Sequence, residues 1–422
     1  MEFDKARPRI AIVGTGISGL VAAYRLKDHC ELTLFEKNDY VGGHTQTHDI
    51  TLDGRQYAID TGFIVFNDWT YPEFIRLMDE LGVPSQVSDM SFSVRCERSG
   101  LEYNGTSLNA LFAQRRNLFS PRFYWMIREI LRFNREAPKL LETSDERITL
   151  GEYLRKMGYG KAFRDHYIIP MGAAIWSASP GDMLEFPARF FIRFFKNHGM
   201  LSVDQRPTWR VIEGGSSRYI PPLTESFRDR IHLESPVLGV SRNEDAVILM
   251  RADGQTEAFD HVILACHSDE AYSLLQDPTA NEKAVLGEMR YQVNEAILHT
   301  DIRVLPQRRL AWAAWNYHVP VSPKDQVAVT YNMNILQGIS SDKTFCVTLN
   351  HHEGICPDKV LKKITYHHPA YTPRTIMAQA RHGEISGQHR THYAGAYWGF
   401  GFHEDGVKSG LRVAEDLLRG LA

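Results

Sequence analysis

A chain of 422 residues, 43% hydrophobic and 23% charged, is long enough for two or three domains with substantial cores, which excludes a stapled miniprotein, a disordered chain and a collagen-like or coiled-coil repeat. Its 48 basic and 51 acidic residues give a formal net charge of -3, so there is no global electrostatic footprint for nucleic acid and none is expected as a partner. Five cysteines, an odd number without a CxxC pair, point away from a disulfide framework or a thiolate zinc site and suit reduced thiols in the cytoplasm.

The opening MEFDKARPRI carries acids at positions 2 and 4 and runs straight into a strand, so no signal peptide is expected. Arg9–Val13 (RIAIV) is a short apolar run of the buried parallel-strand type, and it feeds into Gly14-Thr15-Gly16-Ile17-Ser18-Gly19. Leu20, Ala23 and Leu26 then recur at helical spacing, and a β-rich run over 31–35 ends at Glu36. In this βαβ unit Gly14 permits the tight turn and Gly19 lets helix and strand pack closely. Gly16 lets backbone N–H groups at the helix start, around Ile17 and Ser18, approach a pyrophosphate. Glu36, followed by Lys37, is placed to accept from a ribose hydroxyl. A second glycine pair comes soon after, in Val41-Gly42-Gly43-His44-Thr45.

Helical periodicity covers 71–81, 107–114, 122–141 and 149–158, and strands are expected near 292–303, 311–316, 326–332 and 344–350. Two stretches interleave basic and aromatic residues. In the first, Arg115, Arg116, Arg122, Arg128, Arg132, Arg135 and Lys139 alternate with Phe112, Phe119, Phe123, Tyr124, Trp125 and Phe133 against only Glu129 and Glu136; the second is RFFIRFFK over 189–196. Each reads either as an interfacial membrane surface at the mouth of a lipid tunnel or as an amphipathic helix with core aromatics and a solvated basic face. No apolar run reaches the roughly 18 residues of a spanning helix. His389 and His392 have metal-pair spacing, but no carboxylate motif accompanies them and no metal site is expected. The chain closes with Tyr393-Ala394-Gly395-Ala396-Tyr397-Trp398, then His403 to Gly410, and an amphipathic helix to Leu418.

These segments together resemble the flavin-containing amine oxidase superfamily, whose FAD fold opens with GxGxxG, then Glu, then a GG pair around the flavin side of the cofactor. Further matches are Ile59-Asp60-Thr61-Gly62, with Phe63 and Ile64 after it, as the family's DxG strand; the GG turn Gly214-Gly215; and Ser235-Pro236-Val237 as the strand touching adenine. The resemblance implies an α/β fold with noncovalent FAD. It also implies that Gly395 and Ala396 pass the phosphates and that Asp405, Gly406 and Val407 bring a helix N-terminus to the flavin pyrimidine edge, favouring the anionic reduced flavin. The FAD signals fall in three blocks, so the cofactor domain is expected at 1–80, 205–275 and 375–422, interleaved with an α+β substrate domain at 81–204 and 276–374.

Departures from the family narrow the chemistry. Many amine oxidases carry a lysine in the first strand of the second sheet, bonded through water to flavin N5, whereas Glu295 or a neighbour stands there here. Glu295 reads as a surface carboxylate or as an active-site group. Tyr397, Trp398, Phe400 and Phe402 suit an apolar slot or core packing, and His403 with Glu404 is the first candidate proton acceptor, with Tyr397 beside them. Gly42-Gly43-His44-Thr45, the stretch 170–177, Asn197-His198-Gly199 and the stretch 397–406 resemble predicted FAD-dependent oxidoreductases encoded beside lipid methyltransferases, some of which desaturate methylated acyl chains on the way to furan fatty acids. The expected activity is therefore dehydrogenation of a methylated fatty acyl chain of a membrane phospholipid, with peripheral membrane contact and a methyltransferase as partner. The alternatives are an amine oxidase and a noncatalytic flavoprotein subunit.

Overall fold

The computed structural model describes residues 7–143, 145, 147–321 and 326–421. A five-stranded, all-parallel sheet runs in the order Ile231–His232, Glu31–Phe35, Arg9–Val13, His261–Leu264, Thr391–Tyr393. Its central strand is buried on both faces, as a parallel strand must be, and the period of two assigns its side chains. Ile10 and Ile12 join the core under the first helix (Ile17–Leu26) and the closing helix (His403–Leu421). Ala11 and Val13 join the core under a small antiparallel sheet of Val237–Arg242, Val247–Arg251 and Thr256–Phe259.

The second body is a seven-stranded sheet in the order Val360–Pro369, Tyr291–His299, Cys346–Leu349, Val329–Asn332, Trp315–Val319, Phe92–Cys96, Leu101–Asn104. All pairs are antiparallel except Trp315–Val319 with Phe92–Cys96. Helices that include Pro121–Glu136, Ile169–Trp176 and Ala188–Asn197 share one core with it.

The first insert is thus less purely helical than its periodicity predicts, since it lends two strands to the sheet of the second insert. The strand expected over 311–316 lies later, at Trp315–Val319, and Arg309–Ala311 is a single tight turn. The helix expected over 107–114 is one turn, Leu108–Leu111, capped by Ser107. The helix expected over 122–141 loses its α-helical form after Glu136, where Pro138 has no N–H to continue the ladder. Val360–Pro369 escapes the sequence reading because it is an edge strand. Lys362, Lys363 and His367 point to water and break its apolar pattern, as edges commonly do. Among the described residues no helix is long and apolar enough to cross a membrane.

Candidate flavin site

The loops that follow the parallel strands converge at the carboxyl edge of the first sheet. Gly14 sits at φ +104, and a Cβ there would lie 2.9 Å from the Ala265 carbonyl oxygen. Gly16 differs: nothing lies within 4 Å of the place its Cβ would take. It also precedes a helix that has no side-chain cap, so the first N–H groups of Ile17–Leu26 face an open cradle of the kind that holds a phosphate. Gly42 N donates to Thr15 O at 3.0 Å, which lays the GG loop against the first glycine loop, and a Cβ on Gly43 would come within 3.1 Å of Gly16 Cα. Glu36 is 5% exposed; one carboxylate oxygen accepts from Thr15 N (3.0 Å) and Thr15 Oγ1 (2.6 Å), the other from Asn38 N (3.0 Å) and Nδ2 (2.7 Å). It is fixed beside the cradle, where a ribose diol can exchange with these hydroxyl and amide donors. The Lys37 ammonium, next to it, is paired with Glu270. Val237 is buried with Val13 and Phe35 behind the same loops.

At the other end of the cradle Phe63 N donates to His44 O at 2.8 Å, joining the DxG segment to the GG loop, with Ile64 buried behind it. Thr45 Oγ1 lies 2.6 Å from Tyr219 OH, and both hydroxyls are 3.0 Å from His403 Nε2. The Phe63 ring stacks on the His403 imidazole at 3.6 Å and 5°. Burial pushes His403 down to about 3, so it stays neutral and boxed in. The closing helix begins here, and a Cβ on Gly406 would lie 2.6 Å from Ile17 Cγ2, so the starts of the first and closing helices abut. Val407 is buried between them, and Gly395 N donates to Ser409 Oγ at 3.0 Å. Ala396 Cβ lies 3.8 Å from where that Gly406 Cβ would be.

Three of the four expected catalytic side chains are committed elsewhere. Glu404 accepts from Glu73 N (3.2 Å) and Phe74 N (2.9 Å), capping the helix Pro72–Glu80, and pairs with Lys408 at 3.0 Å. This is a structural cap and not a free base. Asp405 accepts from Phe400 N (3.1 Å) and Phe402 N (3.0 Å), and burial raises it to about 6, so its carboxylate shapes the loop before the helix. Glu295 pairs with His352 at 3.1 Å, its side chain 40% exposed, on the outer face of its strand. His403 is the buried imidazole just described. Tyr397 alone keeps an unused group: it is 2% exposed and its hydroxyl has no partner.

The alternation of Tyr291–His299 puts Asn294, not Glu295, on the inner face. Asn294 Nδ2 donates to His368 Nδ1 at 2.9 Å. Around it gather His44, whose Nε2 donates to His367 O at 3.0 Å, Tyr366, whose OH lies 2.7 Å from Thr61 Oγ1, and His267. Burial pushes His44 and His267 down to about 4 and His368 to about 3, so this surface is uncharged at neutral pH. Asn294 and Tyr366 were not singled out from sequence; the signal that could find them is strand alternation, which works only once the partner strand Val360–Pro369 is known.

A wall of aromatic rings closes the remaining side. Phe190 meets Phe400 at 4.4 Å and Tyr371 at 5.1 Å, Phe194 meets Phe402 at 5.1 Å, and Trp176 Nε1 donates to Phe400 O at 3.2 Å. The stretch 189–196 therefore faces inward, with Phe191, Phe194 and Phe195 at most 3% exposed, and is not a phenylalanine-rich surface. Beside the wall lies a cavity of ≈ 330 Å³ lined by Trp69, Tyr71, His198, Phe400, Phe402 and Glu404 among others. A larger cleft of ≈ 510 Å³ between 55–58 and 337–340 includes no residue of the two N-terminal glycine loops or of the closing helix.

The open cradle at Gly16, the uncapped helix start and the oriented Glu36 fit an adenine dinucleotide, and the neutral inner surface fits an isoalloxazine. Comparison with known proteins agrees. The family model for flavin containing amine oxidoreductase matches residues 17–324, well over half the chain. Among curated proteins, 1-hydroxycarotenoid 3,4-desaturase of Flavobacterium sp. (strain P99-3) is 38% identical over 103 residues, and protoporphyrinogen oxidase 2 of Arabidopsis thaliana is 25% identical over 219. These stretches are 24% and 50% of this chain but only 19% and 41% of those proteins. Solved structures of the same fold include cyclohexylamine oxidase from Brevibacterium oxydans IH-35A, with TM-score 0.72 and 14% identity, and a CLA-producing fatty acid isomerase from P. acnes, with TM-score 0.70 and 14% identity. Each comparison covers 98% of this chain and 99% of the other. The chain belongs to the flavin-containing amine oxidoreductase family and is an FAD-dependent oxidoreductase.

Proposed function

We propose that the chain dehydrogenates an apolar substrate held beside the flavin by the aromatic wall, and that this substrate is a methylated fatty acyl chain of a membrane phospholipid. One observation carries the reading: Phe190, Phe194, Phe400, Phe402 and Trp176 form a wall of rings, and in the adjacent cavity Glu404 is already paired with Lys408. A cationic amine held against that wall would leave water for hydrocarbon rings, and an isolated charge is costly to bury. An acyl chain loses nothing by the same move. The carotenoid desaturase relative is compatible with an apolar substrate in this family.

FAD, when bound, supplies the two-electron acceptor. The protein's part is to hold the substrate, exclude water and place a group for the proton. Phe190, Phe194, Phe400 and Phe402 do the first two. For the third, His44 offers a neutral imidazole. A carbonyl cannot donate, so its bond to His367 O puts the proton on Nε2 and leaves the Nδ1 lone pair free. His368 is the opposite case: Asn294 donates to its Nδ1, so Nε2 carries hydrogen and can only donate. On this reading a methyltransferase acting on the same lipid supplies the substrate.

The test is anaerobic titration of the purified flavoprotein with phospholipids bearing methylated or unmethylated acyl chains, then with cyclohexylamine and putrescine, while following flavin absorbance. Bleaching by the methylated lipid alone is the expected result. Bleaching by either amine and by no lipid overturns the proposal in favour of an amine oxidase.

A further inference from the structure

The helix Pro121–Glu136 buries Phe123, Met126 and Phe133, yet its outer face is not an ordinary solvated one. Tyr124, Trp125 and Leu131 are 47%, 52% and 52% exposed, and the turn before it adds Phe119 at 87%. Five of the seven exposed positions on the helix, 122, 125, 128, 131 and 135, recur three and four apart and so form one stripe, with Tyr124 at its edge. Between the apolar tips stand exposed Arg115, Arg116, Arg122, Arg128, Arg135 and Lys139. The two acids of this stretch are already bound. Glu129 is 2% exposed and accepts from Gly160 N at 2.7 Å, and Glu136 accepts from Arg132 at 2.9 Å and Arg135 at 3.3 Å. The Arg128 guanidinium lies 5.0 Å from the Trp125 ring, holding cation and aromatic at one level.

We propose that this face docks the enzyme on an anionic lipid surface, with Phe119 and Trp125 entering the acyl boundary and the arginines resting on phosphates. Charge complementarity commits the occupant: the stripe presents basic groups and no free acid on a chain whose net charge is -3. A nucleic acid would satisfy the arginines but leave Leu131 and the neighbouring Leu118, 42% exposed, in water. The inference stands on this surface alone and does not depend on which substrate the flavin oxidises.

The experiment is co-sedimentation of the FAD-loaded full chain with vesicles of phosphatidylcholine alone or mixed with phosphatidylglycerol. Binding is expected only to the mixed vesicles, and salt should weaken it. Arg122→Ala with Arg128→Ala should lower the partition coefficient about 25-fold, at about five-fold for each basic residue. Phe119→Ser with Trp125→Ser should weaken binding at low and high salt alike while leaving the flavin spectrum and melting temperature unchanged, because both side chains lie at the surface. Val293→Ser, at a 53% exposed valine elsewhere, serves as the control and should bind as wild type. The proposal is overturned if wild type ignores the mixed vesicles, if both double variants sediment with them as wild type does, or if an oligonucleotide binds more tightly than the vesicles at equal salt.

Discussion

Gly14 and Gly16 stand two residues apart in one loop, and the structure gives them opposite reasons to lack a side chain. At Gly14 the backbone has φ +104 and a Cβ would meet the Ala265 carbonyl at 2.9 Å. Gly14→Ala should therefore lose about 1–2 kcal/mol to backbone strain and about 1–3 kcal/mol to overpacking, whether or not FAD is present. At Gly16 the backbone is extended, with φ -67 and ψ 173, a region open to any residue, and the Cβ position is empty to 4 Å. Gly16→Val should leave the apoprotein within about 0.5 kcal/mol of wild type. Its side chain, however, fills the space in front of the uncapped helix start. Losing two hydrogen bonds to a pyrophosphate, at about 1.5–3 kcal/mol each, weakens FAD by roughly 10² to 10⁴-fold. The assay pairs the flavin-to-protein absorbance ratio after desalting with the melting temperature of the apoprotein. Gly16→Val should be colourless and melt with wild-type apoprotein, and Gly14→Ala should melt lower. A Gly16→Val protein that keeps its full complement of flavin would refute the assignment of this cradle to the phosphates.

Other consequences follow from the same geometry. Glu36→Gln turns two of the four donor contacts around Glu36 into donor–donor clashes, and FAD affinity should fall by about 1–3 kcal/mol; an isothermal titration equal to wild type would contradict this. Asn294→Leu should lower kcat by releasing His368 and should also cost about 1–3 kcal/mol of stability, because Asn350 Nδ2 loses its 2.7 Å bond to Asn294 Oδ1, whereas Glu295→Gln should leave turnover within about two-fold, since only a surface contact is lost; the reverse pattern in steady-state assays would put Glu295 in the site. Phe194→Asp puts an unpaired charge at a 3% exposed position and should give insoluble protein, and a soluble, flavin-loaded variant would show that this helix does not face inward. Acid should weaken the fold through His403. Its folded value of about 3 lies below the ordinary 6.5, so the unfolded chain takes up a proton below pH 6.5 while the folded chain does not. Stability from this group is complete above pH 6.5 and falls by about 2 kcal/mol by pH 5. The difference in denaturant stability between wild type and His403→Gln should shrink by that amount from pH 7 to pH 5, and a gap that stays constant would mean that His403 titrates normally.

What was legible in the sequence depended on whether a segment's task was local. The strand, glycine loop, helix and Glu36 of the first unit could be read because each residue acts on neighbours within about thirty positions, and the glycines answer to backbone geometry that no distant partner alters. The same holds for the closing helix, whose start packs on Ile17 and Ser18 as its small residues require. The inner face of the site was not legible for the opposite reason. Asn294 and His368 meet only because Tyr291–His299 pairs with Val360–Pro369, and the latter shows water-facing lysines where an apolar alternation would mark a strand. A register slip of one residue would have made Glu295 the inner residue, and without the partner strand the choice between Glu295 and Asn294 has no local signal. His403 and Glu404 share the difficulty in another form. Their position at a helix start beside the flavin motifs made them reactive candidates, yet the distant elements that use them, Tyr219 and the start of Pro72–Glu80, turn one into a buried neutral ring and the other into a cap. The two basic aromatic stretches show the same division: composition left both with the same pair of readings, and only packing separates 189–196, whose rings form the wall of the site, from 115–135, where Phe119, Tyr124 and Trp125 are left to water while Phe123 and Phe133 are buried.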